Sequence, residues 1–190
     1  GVGESDIPDD GWALTTPAVA DAVGHAASAA LHGLATGSLD SDVAPTGPLA
    51  SIGVGHSAGA LVTCYQQARR RTHLAVGLLG FGGAGLRGHL NADELACADD
   101  PEATRVAIVS LSRARFRRPF PRGTTSRSEL LNRPDVADAA YEAIATAGDA
   151  LLSIVGLTSM IPGASSGELG AIDVPVFLGV GSHDITGPAH

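Results

Sequence analysis

The sequence predicts an α/β fold: a mostly parallel sheet with flanking helices and an inserted, mainly helical subdomain. Three observations lead there. Residues 49–79 read as strand, helix and strand with short joints, the parallel βαβ unit, which places the ends of both strands on one rim of a sheet. A third apolar strand, Val174 to Val180, follows only after about ninety residues, far more than a βα loop of about 2 to 6 residues supplies. The chain has 190 residues, 44% of them apolar, enough for one domain with a buried core. The expected division is a core over residues 1–82, an insertion over 83–171 and a return to the core over 172–190.

The elements follow in order. Gly1 to Asp6 carries neither an initiator Met nor a signal peptide's charged and apolar regions, so the natural N-terminus is expected upstream. Thr16 followed by Pro17 predicts a helix start, and Ala20, Val23, Ala27, Ala30, Leu31 and Leu34 recur at helical spacing until Gly37. After a Ser/Asp/Pro/Gly loop over 38–48, Leu49 to Val54 reads as a short buried strand. Ser57 through Arg71 suits a helix with Ala58, Leu61, Val62, Tyr65 and Ala68 on one face and three Arg at its C-terminal end. Leu74 to Leu79 is the next strand. In the insertion Asp100 and Pro101 start one helix and Pro134 another, with Val136, Ala139, Ala140, Ala143, Ile144 and Ala147 at helical spacing. Ala150 to Ile161 is apolar enough to face a pocket or the parent core, and Pro162-Gly163 ends it.

Composition excludes several classes. Acidic residues number 20 against 12 basic ones, all Arg, for a net charge of −8, a balance that argues against nucleic-acid binding. No apolar run approaches the roughly 20 residues needed to cross a bilayer, so no membrane partner is expected. Cys64 and Cys97 have no C-x-x-C spacing, which leaves no disulfide framework or zinc knuckle and favours a reducing, cytoplasmic location. The acidic stretch of residues 1–42 and the eight Arg of residues 105–133 read as solvated surface. With 32 Ala and 25 Gly against 4% aromatics, small side chains must supply close packing. No metal cluster, phosphate loop or covalent-cofactor signature appears, so no cofactor is expected, and the partner is a small-molecule substrate.

The chemistry concentrates at the first strand-to-helix turn. Gly55-His56-Ser57-Ala58-Gly59 fits G-x-S-x-G between a strand and a helix, the context that motif requires. A serine on so sharp a turn adopts a strained backbone, and glycine two positions to either side lets strand and helix approach. The hydroxyl is pushed out of the sheet. At the helix N-terminus it lies beside unpaired N–H groups, and that of Ala58 can stabilise the oxyanion formed when Ser57 attacks a carbonyl.

In these residues the chain resembles the α/β-hydrolase superfamily, in its serine-nucleophile, capped branch. Gly1-x-Gly3-x-Ser5-Asp6 looks like the turn after the family's fourth strand and Gly55 to Gly59 like its nucleophile elbow. Residues 83–171 match the position of its cap, and Val174 through Gly181-Ser-His-Asp184 is similar to the strand and turn that carry the triad acid. The resemblance implies a serine hydrolase cleaving an ester, thioester or amide of a small, hydrophobic substrate through an acyl-enzyme. Ser57 would be its nucleophile and Asp184 the acid that orients the imidazole. Independently, Val43 to Ala92 contains no Asp or Glu, so the end of the second strand offers no acid, whereas Asp184 stands immediately past a strand.

The family's chain order is Ser, acid, His, with the His after a further helix and strand. Only six residues follow Asp184, too few to return His190 to Ser57. His56 should project away from its neighbour on the tight turn, and His183 belongs to the acid loop. His25, His32, His73 and His89 read as surface or satisfied core residues. The base, and by resemblance a second oxyanion donor, are expected outside residues 1–190.

Rival readings remain at this stage. An acyltransferase or a non-catalytic binding protein would share the fold. A nicotinamide-dependent oxidoreductase would use Gly53-x-Gly55-x-x-Ala58 or Gly80-x-Gly82-x-x-Gly85. The first meets no ribose-binding acid about 20 residues on, and the second reaches Asp99 and Asp100 through a segment without an apolar strand. Arg113, Arg115, Arg117 and Arg118 suit a wet helix face or a carboxylate-bearing substrate, and Trp12 suits core packing or a pocket entrance.

Overall fold

A computed structural model describes residues 6–121, 137–146, 150–182 and 184–185. Among them the fold is α/β: three parallel strands in the order β1, β2, β3, where β1 is Ile52–His56, β2 Ala75–Leu79 and β3 Val176–Gly179. Ile52 pairs with Ala75 and His56 with Leu79, while Val76 pairs with Val176 and Leu79 with Gly179. The three strands therefore end together at one rim. Seven α-helices are described: α1 Thr16–Thr36, α2 Ala58–Arg70, α3 Ala92–Leu95, α4 Pro101–Phe116, α5 Asp138–Thr146, α6 Ser153–Met160 and α7 Ser166–Gly170.

Helix boundaries follow local chemistry. The start of α1 falls one residue before the expected cap: Thr15 Oγ1 accepts from Ala18 N at 3.4 Å, and Thr16 turns inward to Thr158. Gly37, at φ 73°, ends α1 in the left-handed conformation. The buried stripe of α1 also differs from the expected one, since Thr16, Ala20, Gly24 and Gly33 are buried and Val23 is exposed. Glycine at 24 admits the Arg70 side chain of α2, so the interhelical contact runs through a residue that a hydrophobicity pattern passes over. Asp100 caps α4 as expected, its Oδ1 accepting from Ala103 N at 2.9 Å, with Pro101 in the first turn. Pro134, Val136 and Ala147 lie outside the described residues; α5 begins at Asp138.

Two apolar clusters share α6. Val155 joins Ala20, Leu61, Cys64, Val76, Leu78 and Phe81 between the sheet and α2, whereas Ile154 and Leu157 join Cys97, Ile108 and Ile161 beneath α4. The helix α2 is buried from Ala60 through Gln67, almost all round rather than on one face, because the sheet, α1, α6 and α7 all pack on it. Arg113, Arg115, Arg117 and Arg118 are exposed, as expected of a wet helix face, and two of them also contact packed residues. Arg115 donates to the fully buried Glu94 at 2.7 Å, and Arg113 lies 5.1 Å over the Trp12 ring, which packs on the second cluster.

The strands are offset from their expected limits, β1 beginning at Ile52 rather than Leu49. They are also covered unequally. Gly53, Gly55, Val76 and Leu78 face α2, while Ile52, Val54 and Phe177 on the opposite face stay exposed at 69, 65 and 67%. Among the described residues no helix is long and apolar enough to cross a membrane.

Candidate active site

Ser57 joins β1 to α2 with φ 53° and ψ −123°, a backbone region that L-residues seldom occupy. Such a conformation costs of order 1–3 kcal/mol and persists only where its surroundings over-determine it. Here they do. Ser57 N donates to Leu79 O at 2.8 Å, and Ser57 O accepts from Ala60 N at 2.9 Å and Leu61 N at 3.3 Å. The side chain is exposed and makes no capping bond to its own helix, so the hydroxyl is not spent on local structure. Ala58 opens the first turn, where N–H groups lack intrahelical acceptors, and its amide stands next to the hydroxyl along the chain.

Only one of the two motif glycines is sterically required. A Cβ on Gly55 would lie 2.6 Å from Ala60 Cα and nearer still to the Gly59 carbonyl oxygen, so any side chain there drives α2 off the strand. A Cβ on Gly59 would meet nothing within 4 Å. The expectation that both glycines permit the approach therefore holds for Gly55 alone.

Asp184 follows β3 on a turn in which its N–H donates to Gly181 O at 3.0 Å, and it is half-buried. Its position is fixed relative to Ser57 through the strand between them. Gly80, the residue after β2, donates to Gly179 O at 2.8 Å and has φ 56°. A Cβ on Gly80 would stand 3.0 Å from His56 Nε2 and 3.4 Å from Asp184 Oδ2. Ser57, Gly80 and Asp184 thus occupy the same rim, one strand apart in turn, and the glycine leaves open the space bordered by an imidazole and a carboxylate.

His56 has a neighbour that the sequence reading did not foresee. Strand alternation sends it to the face opposite α2, where its ring reaches across the end of β2 toward Asp184 rather than into solvent alone. The register of His56 with Leu79, invisible before strand pairing is known, brings this about. The other described histidines stand elsewhere. His25 lies against Arg70 on the surface, and His32 and His89 are exposed. His73 precedes β2 at the opposite end of the sheet from Ser57: its Nε2 accepts from Gln66 Nε2 at 3.0 Å, so Nδ1 carries the proton and donates to Ser51 Oγ at 2.9 Å. Burial holds its pKa below the ordinary 6.5. His183 and His190 lie outside the described residues.

The thiol in α2 is kept unreactive by its surroundings. Burial pushes the Cys64 thiol up to about 12, leaving it neutral and inert. No group of His, Cys, Asp and Glu suited to a metal ion occurs among the described residues. Neither glycine fingerprint is completed: the Gly80 to Gly85 loop leads into a 3₁₀ turn at Arg87–His89 and not into the helix a dinucleotide site needs, and β2 ends without an acid. Comparisons with protein-family models, curated proteins and solved structures return no match.

Proposed function

We propose that the protein is a serine hydrolase of the α/β-hydrolase type, acting on an ester, thioester or amide of a small hydrophobic substrate. One observation carries this reading: an exposed serine held at φ 53°, ψ −123° between a parallel strand and a helix, its hydroxyl left out of the helix cap. Strain of this kind is retained where it aims a group. Ser57 attacks the carbonyl carbon, the Ala58 N–H receives the developing oxyanion, and the acyl group resides on Ser57 until water releases it. Asp184 orients and stabilises the imidazole that takes the Ser57 proton. One oxyanion donor contributes about 3 kcal/mol of barrier lowering.

Labelling with an activated fluorophosphonate, read by peptide mass spectrometry, tests the assignment. Ser57 forms the adduct at least about tenfold faster than exposed serines without the turn, such as Ser41, because the helix N-terminus and oxyanion donor act even without an efficient base. Ser57→Gly abolishes the adduct and, by removing a side chain from a strained position, raises stability by about 1 kcal/mol. Equal labelling of Ser41 and Ser57 overturns the proposal. The imidazole is resolved by the same assay: with the base outside residues 1–190, His56→Ala leaves the rate unchanged, whereas a tenfold loss assigns the base to His56.

A further inference from the structure

A cavity of about 570 Å³ opens where the N-terminal ends of α1 and α4 meet α6, α7 and Tyr65 of α2. Ser57 is not among the residues that line it. The volume falls in the range of small-molecule sites, and Ile108, Val109 and Ile154 give it an apolar wall.

Its lining carries more acidic than basic groups: Asp100, Glu102 and Glu168 against Arg105. Pro17 and Pro101 have no N–H, and the first-turn amides of Ala18 and Ala103 are taken by Thr15 Oγ1 and Asp100 Oδ1. Thr16 Oγ1 gives its proton to Thr158 Oγ1 at 3.2 Å, Thr158 gives its own to Ile154 O at 2.7 Å, and Thr104 gives its proton to Cys97 O at 3.0 Å. Arg105, the cation in the lining, is held by Glu102. Tyr65 is only 6% exposed, and its single phenolic proton is directed to Ala164 O at 3.4 Å. The Glu168 carboxylate acts on the same phenol and, after burial itself, helps to keep it protonated. Lone pairs remain on Asp100, Glu168, Tyr65 and Thr16, whereas the hydroxyl protons and capped amides named above are committed.

We propose that this cavity binds an organic ammonium ion: an amine whose N–H groups meet Glu168 and the Tyr65 oxygen while its apolar body rests on Ile108 and Ile154. A carboxylate or phosphate of the same size is rejected, because it would bring further acceptors and negative charge to a lining that already has both.

The site is independent of the hydrolase reading. Titration of the ¹⁵N-labelled chain with 4-phenylbutylammonium, 4-phenylbutanol and 4-phenylbutyrate, followed at the amides of Thr16, Thr158 and Gly167, tests it. The ammonium shifts these amides and binds at least about tenfold more tightly than the alcohol or the carboxylate, one charge-assisted hydrogen bond accounting for such a factor. Glu168→Gln weakens ammonium binding about tenfold, and Tyr65→Phe, which keeps the ring and removes the oxygen, weakens it by less. Equal affinity for the three probes, an absence of shifts at those amides, or unchanged ammonium affinity in both variants overturns the proposal. Phosphonate labelling at Ser57 is unchanged in Glu168→Gln, so each proposal fails separately.

Discussion

The two faces of the sheet are built from the same five-residue strand and have opposite physics. In Ile52-Gly-Val-Gly-His56 the glycines face α2 and the large side chains face away. On the covered face, packing is backbone against backbone: a Cβ on Gly55 would meet Ala60 Cα at 2.6 Å. On the other face Ile52, Val54 and Phe177 remain mostly exposed, although parallel sheets are generally covered on both sides. Hydrophobicity alone would bury the valine and isoleucine first. Helix approach, not side-chain transfer, decides which face α2 covers, and Ser57 owes its geometry to the glycine face.

The largest effect expected from this contrast is at Gly55. Replacing it with Ala costs about 3 kcal/mol or more, because the obstacle is backbone on a buried helix that cannot rotate aside, and chemical denaturation measures the loss. An unchanged midpoint would mean that α2 does not sit on the strand as described. A smaller effect is expected from His73, whose ring lies under Gly53. Its pKa is lowered by burial from 6.5, so the folded state binds the proton less readily than the unfolded chain. Its contribution is complete above about pH 6.5 and declines as pH falls from there toward the lowered folded-state value. Thermal melts at pH 7.5 and 5.5 should show a drop that shrinks in His73→Gln. The smallest effect belongs to the open face: Val54→Thr changes stability by no more than about 0.5 kcal/mol, and a loss above 2 kcal/mol would show that this face is covered in solution.

Legibility in the sequence varied with the range of the forces involved. Caps and breaks were legible because they depend on neighbours: Asp100 and Pro101 at the start of α4, Gly37 at the end of α1, Pro162-Gly163 after α6. The stripe of α1 was not, because Gly24 is buried by a partner helix and carries no hydropathy signal. Arg115 reads as surface until Glu94, 21 residues earlier in the chain, is found buried against it. For the candidate site, G-x-S-x-G marked Ser57 and Ala58 directly, and the position of Asp184 past an apolar run marked the carboxylate. The approach of His56 to Asp184 was not legible, since it depends on the register of strands that are distant in sequence.

By itself the sequence determined the parallel βαβ unit, the sharp strand-to-helix turn at Ser57 and the turn that carries Asp184, because hydrophobic period, glycine placement and capping chemistry act within a few residues. Only the tertiary structure decided which sheet face is covered, which exposed arginines reach packed partners, and which side chains border Gly80. Those depend on close packing between segments more than a hundred residues apart, and a one-residue change of register would exchange the two faces of a strand.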